Sequence, residues 1–205
     1  KELLDIPFNH SFYKKNLYFG INNLKYPENH KYFKKYSTVL EINTKKINSI
    51  EKPTWIFNMG KNNPINHDKQ DLGFILKENS KLRICQMNSN FKEKIVLKLI
   101  GDNTGSEKTI EVGTDLVEVS TNIPTVPFIN TPYGKENPEI MYIVENDEII
   151  NLPIYSYNDD ENKFYRNWNE NTVNYALIKN KYFQMLLSKE DKELIKNSEK
   201  FTSIN

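Results

Sequence analysis

The chain has 205 residues, and 28 Lys+Arg against 27 Asp+Glu leave a formal charge of +1. That balance excludes a protein built chiefly to neutralise a phosphate backbone, which needs a large basic excess. Aromatic residues make up 12% of the chain, too many for a disordered polar chain, so a folded domain with a polar surface is expected.

Twenty-nine Asn and a single Ala, Ala176, favour strands and loops over helices, because Ala is the best helix former and Asn competes for the backbone in turns. One cysteine, Cys85, allows no intrachain disulfide. It sits in an apolar alternation and reads as a buried structural thiol. No apolar run approaches the roughly 18 residues of a membrane span, so none is expected. The N-terminus has neither an initiator Met nor a long apolar signal core. A mature product or a cut fragment of a longer protein is expected.

Residues 1–54 read as an N-terminal extension rich in aromatics and Lys, as in Phe12-Tyr13-Lys14-Lys15 and the run from Lys31 to Tyr36. Such interleaving suits single-stranded nucleic acid. With no nucleic-acid module following, the preferred reading is that the aromatics pack on the neighbouring domain while the Lys heads stay in water.

From Trp55 to Tyr157 the pattern is strand after strand. Phe74-Ile75-Leu76 and Leu82-Arg83-Ile84-Cys85 flank the turn-like Glu78-Asn79-Ser80. In the run from Ile95 to Ile100, Ile95, Leu97 and Leu99 share one face at period two and are expected to point inward. Gly101 to Ser106 is a turn by composition. The runs Thr109–Val112 and Leu116–Val119 follow. Ile140–Val144 and Ile149–Leu152 surround Asn146-Asp147 and suggest a hairpin. Short strands at this spacing predict a mainly β chain, an antiparallel sandwich over residues 55–187. Asn174 to Leu187 fits either a strand pair or a helix. Ser188-Lys189-Glu190-Asp191 supplies a cap and first-turn carboxylates, so 188–205 is expected to hold a short C-terminal helix leading out of the domain.

Several chemistries lack their residues. His10, His30 and His67 stand far apart, and neither His-Glu-x-x-His nor paired Cys/His at close spacing occurs. No metal site and no catalytic residue is therefore expected in this chain. Gly101 to Thr109 resembles a phosphate loop only faintly, because Glu107 rather than Gly precedes Lys108 and a strand pattern follows. No Gly-x-Ser-x-Gly elbow is present. The acidic run Asn158 to Asn162 lacks the spacing and Gly of a calcium loop and reads as a solvated turn.

One resemblance runs through Trp55-Ile56-Phe57, Asn66 to Gly73, and Leu76 to Arg83. It continues through Val126-Pro127-Phe128-Ile129-Asn130-Thr131-Pro132-Tyr133-Gly134, then Leu152 to Asn158 and Phe164 to Trp168. In this order, from Trp55 to about Ile195, the chain resembles the N-terminal region of the enhancin family. Those are mucin-degrading zinc metalloproteases of insect viruses, with bacterial relatives. Thr131 stands where the viral relatives tend to carry an aromatic, and the loop Asn58 to Ile65 looks longer than theirs.

The resemblance implies a secreted protein and a non-catalytic, mucin- or carbohydrate-binding module. The zinc-bearing catalytic domain would lie further along the same polypeptide and be its partner. Zinc is expected there and no cofactor here. Glycan sites need aromatic faces and nearby amides. Tyr133, Asn130, Asn137, Tyr165, Asn167 and Trp168 supply both, in segments 125–137 and 158–171 that read as loops. Core packing is the alternative for each aromatic. The alternative for the domain is a purely structural sandwich that packs against the protease and binds no sugar. An independent glycosidase would need two close carboxylates in a cleft, which sequence cannot reveal.

Overall fold

A computed structural model of the chain describes residues 40–52, 54, 68–87, 91–145, 149–170 and 173–196. The aromatic runs at 12–15 and 31–36, Trp55 to Ile65, the three histidines and the Asn146-Asp147 turn lie outside the described residues. In chain order the strands are β1 (Leu40–Lys46), β2 (Lys69–Asp71), β3 (Phe74–Leu76), β4 (Leu82–Gln86), β5 (Ile95–Ile100), β6 (Lys108–Val112), β7 (Val117–Val119), β8 (Val126–Asn130), β9 (Glu139–Glu145), β10 (Ile149–Asn151) and β11 (Ile154–Ser156). Helix α1 (Glu161–Glu170), β12 (Tyr175–Lys179), β13 (Gln184–Ser188) and helix α2 (Lys192–Lys196) complete them.

The protein is mainly β. Two four-stranded antiparallel sheets, ordered β1-β9-β4-β7 and β2-β8-β5-β6, face each other. Strand β5 explains why they meet. Ile95, Leu97 and Leu99 are all buried, while Val96, Lys98 and Ile100 are only partly so. That alternation puts one apolar face against Leu82 and Ile84 of β4 and Ile140, Tyr142 and Val144 of β9. The inward register expected for β5 is the one observed. Residues 101–106 turn the chain from β5 into β6, with a 3-10 turn at Thr104–Ser106 capped by the Asn103 side chain.

A second core lies on the back of the second sheet. Strand β8 is buried along its whole length. Ile129 enters the first core, whereas Val126 and Phe128 enter the second, with Tyr155, Phe164, Trp168, Tyr175 and Leu177. The covering layer is helix α1 and a small sheet in which β11 runs parallel to β12 and β12 antiparallel to β13. Strand β3 divides its side chains in the same way. Phe74 and Leu76 face the first core and Ile75 the second. Gly73, at φ +86°, makes the break between β2 and β3 that this requires.

Three expectations need correction. Residues 126–130 and 161–170, read as loops, are β8 and α1. The run 158–162 does hold a turn, but it leads into α1, which the Asp160 carboxylate caps by accepting from Lys163 N at 3.2 Å. Asp160→Ala is expected to lower stability by about 1 kcal/mol, measured by urea unfolding. Strands β9 and β10 do not form a hairpin. β9 pairs with β1 and β4, whereas β10 pairs with β3, because the two strands serve different layers. The strands expected on either side of Glu78-Asn79-Ser80 are β3 and β4, which do not pair with each other. The turn is real, with Asn79 at φ 60°, but it carries the chain between sheets.

The ambiguous stretch 174–187 is a strand pair, β12 and β13. Within the segment assigned to the N-terminal extension, residues 40–46 form β1, an edge strand of the first sheet. The short C-terminal helix is α2, beyond a turn in which the Ser188 hydroxyl bonds the Asp191 carboxylate at 3.0 Å. Cys85 is buried and forms no disulfide. No helix among the described residues is long and apolar enough to cross a membrane.

Candidate functional site

The glycan residues expected from sequence fall into three environments. Trp168 is fully buried in the second core, and Tyr165 nearly so. Their rings lie 6.5 Å apart and 10° from parallel, with Phe164 packed against both. Both take the core alternative, because α1 turns the apolar positions 164, 165 and 168 to the same side. Burial pushes the Tyr165 phenol above its ordinary range, with Glu161 and Glu193 adding to the effect. Asn130, at the end of β8, is also buried.

In the chain after β8, Tyr133 is half-buried and Asn137 is exposed. Asn137 Oδ1 accepts from Ser49 N at 2.7 Å, and Gly134 N donates to Ile50 O at 3.0 Å. These bonds clamp the 131–137 segment to the chain after β1. Thr131 is buried, and its hydroxyl accepts from Gln70 Nε2 at 3.1 Å. Thr131 is thus part of an interior hydrogen-bonding site. Asn167 is exposed and lines a cleft of about 350 Å³ with Ile154, Asp159, Asp160, Lys163 and Phe164. Two of its carboxylates hold local backbone. Asp159 accepts from Ser156 N at 2.7 Å, and Asp160 caps α1.

A larger cleft, about 440 Å³, opens at the β12–β13 turn. Asp68, Lys179, Asn180, Lys181, Tyr182, Phe183 and Gln184 line it. The turn is made by Asn180, whose Oδ1 accepts from Tyr182 N at 2.8 Å and Phe183 N at 3.1 Å. This is the side-chain-to-backbone bonding for which Asn is favoured in turns. It presents Tyr182 at 85% and Phe183 at 53% of full exposure. The other wall is Asp68, just ahead of β2. Gln184 Nε2 donates to Lys69 O at 2.7 Å, and Thr131 N donates to Asp68 O at 3.0 Å. The segment after β8 therefore abuts the same wall.

Beneath the cleft lies Asp71, only 7% exposed. Lys179 Nζ pairs with its carboxylate at 3.1 Å, and Lys45 Nζ donates to its main-chain oxygen. Burial lowers the Lys45 pKa first, with Asp71 opposing and Lys179 adding to the shift. Lys69 is also lowered, first by burial and then by Lys98. Among the described residues no group of three or more His, Cys, Asp or Glu is placed to hold a metal ion.

Chemically, the cleft offers two exposed aromatic faces for stacking, beside amide and ammonium groups that can hydrogen-bond hydroxyls. The sequence reading passed over it. Its signal was present: two apolar runs, 175–178 and 185–187, flank a turn in which Tyr182 and Phe183 follow Asn180. Two adjacent aromatics in a turn cannot both point to the core.

No family model matches this chain, and no curated protein matches it in sequence. The fold does occur in solved structures. A conserved protein of unknown function from Bacillus anthracis aligns with a TM-score of 0.56 at 9% identity, over 75% of this chain and 32% of that one. The M60 catalytic domain of ZmpC from Clostridium perfringens, in complex with the sialyl T antigen, aligns with a TM-score of 0.54 at 14% identity, over 76% and 36%. The IMPa metallopeptidase of Pseudomonas aeruginosa, in complex with T-antigen, aligns at 0.51 and 10% identity, over 80% and 20%. The chain spans about a third of the length of the first structures it matches. At these identities the likeness is one of fold, shared with metallopeptidases.

Proposed function

We propose that this chain is the β-sandwich part of a larger, secreted, enhancin-like zinc metalloprotease, and that it holds mucin-type glycan while a catalytic domain elsewhere in the polypeptide cuts the protein. The observation carrying this reading is the fold shared with metallopeptidases solved with the sialyl T antigen and T-antigen. It joins the sequence resemblance to the enhancin N-terminal region. Under this reading the chain itself hydrolyses nothing. Zinc belongs to a His-Glu-x-x-His helix, a motif missing from these 205 residues.

The cleft at the β12–β13 turn is the glycan site in this proposal, with Tyr182 and Phe183 as the platform. Sugar hydroxyls exchange water for protein partners at little net gain, so a single glycan binds weakly, at about millimolar, or about −4 kcal/mol. Mucin repeats each glycan many times, and several engaged sites together give useful retention. Tyr182→Ala is expected to abolish retention of the 205-residue chain on immobilised mucin. It leaves the unfolding free energy within about 0.5 kcal/mol, because the side chain is on the surface. A folded Tyr182→Ala chain held as well as the parent would remove this cleft from the proposal.

A second reading is favoured by a different surface. Met185 and Leu194 are exposed on β13 and α2, and apolar side chains there suit packing against the rest of the polypeptide. In that reading the sandwich shapes the protease and binds no sugar. Failure of the parent chain to bind any mucin would favour it.

A further inference from the structure

Neutral sugars need only the aromatic platform and the amides, yet the cleft is also charged. Lys179 and Lys181 line it against a single carboxylate, Asp68. Behind it, Asp71 is engaged by Lys179 and Lys45. Lys69 is on β2 and Lys98 on β5, across the intervening β8, and Lys98 adds to the lowering of the Lys69 pKa that burial begins. Lys179, Lys181, Lys45, Lys69 and Lys98 therefore lie in or near this region, against Asp68, Asp71 and Glu107. Among the described residues Lys45, Lys98 and Lys181 make no ion pair. Burial is the first cause of the lowered pKa values of Lys45 and Lys69, and the neighbouring Lys179 and Lys98 add to it against Asp71, Asp68 and Glu107.

The arrangement places charge beside stacking surface. Lys181 Nζ lies 5.5 Å from the centre of the Tyr182 ring, over one face. With the ring 85% exposed, most of its surface stays open to a ligand. A sugar ring against Tyr182 would lie in a cleft that Lys179 and Lys181 both line. We propose that this cleft selects acidic saccharides, with Tyr182 and Phe183 taking the ring and Lys179 and Lys181 taking a carboxylate or sulfate ester. The inference rests on the glycan-binding reading and adds the charge of the ligand to it.

The test is a titration of the 205-residue chain, followed by NMR, with three probes: lactose, sialyllactose and sulfolactose. Exposed ion pairs contribute little each, so the expected preference is about threefold to fivefold for the acidic probes over lactose. Screening at about 1 M salt shrinks the Debye length to roughly 3 Å and should remove the preference while leaving lactose binding in place. Lys181→Gln is the variant of choice, since Lys181 is exposed and makes no ion pair that the fold depends on. It should lower the affinity for the acidic probes to that for lactose. Tyr182→Ala should weaken all three probes alike.

Tighter binding of either acidic probe, lost in Lys181→Gln, supports the inference and identifies which anion is read. Equal affinity for all three overturns the inference and leaves the glycan reading standing. An acidic preference that survives Lys181→Gln overturns this placement of the anion site. Binding of none of the three overturns both.

Discussion

Trp168→Ala is expected to lower the unfolding free energy by about 3–5 kcal/mol, among the largest losses any single substitution in this chain should produce. The indole is fully buried. It stacks on Tyr165, touches Phe164 at 5.6 Å between ring centres, and lies 5.3 Å beneath the Lys192 ammonium. Removing it opens a cavity at the joint between α1 and the β11–β13 sheet. One small compensation exists: Trp168 Nε1 has no hydrogen-bond partner among the described residues, so its loss strands no other polar group. Chemical denaturation measures the difference. A loss under about 0.5 kcal/mol would mean that Trp168 is not a core residue. Any mucin-binding defect of this variant reports on folding first, whereas Tyr182→Ala probes the surface.

Leu97→Ala should cost about 2–5 kcal/mol. Leu97 is at the centre of β5, hydrogen-bonded between β6 and β8, where it opposes Ile110 and Ile129. No part of it is exposed. Both four-stranded sheets contribute to the core around it, so neither can close over the vacancy without moving the other. Lys98→Ala, one residue away and pointing to the opposite face, should cost far less. A reversed order in denaturant midpoints would invert the register of β5.

That contrast marks what sequence can reveal. β5 was legible because one face is core and the other is half-exposed, so Lys98 interrupts the apolar residues at the right period. β8 gives no such pattern. Val126 to Asn130 is covered on both sides, and a strand buried on both faces carries no alternation. Helix α1 was hidden for a different reason. Its ten residues hold three Asn and no Ala, and propensity argues against it. Burial of Phe164, Tyr165 and Trp168 overrides that preference. The same burial removed Trp168 and Tyr165 from the accessible surface, since an aromatic in a segment read as a loop looks alike whether it faces water or a second core. The second core could not be foreseen because it depends on β3 and β8 each dividing its side chains between two layers.

Sharing β8 and β3 between the cores has a consequence for anyone wishing to shorten the protein. Excising residues 150–196 to leave a bare two-sheet sandwich would uncover Val126, Phe128 and Ile75 together. The trimmed piece would carry an apolar stripe in place of the missing layer, an invitation to self-association. The cleft would vanish with it, because all its lining residues but Asp68 come from the excised part. The β12–β13 turn and the scaffold beneath it are thus one inseparable unit, and a minimal fragment must keep both cores.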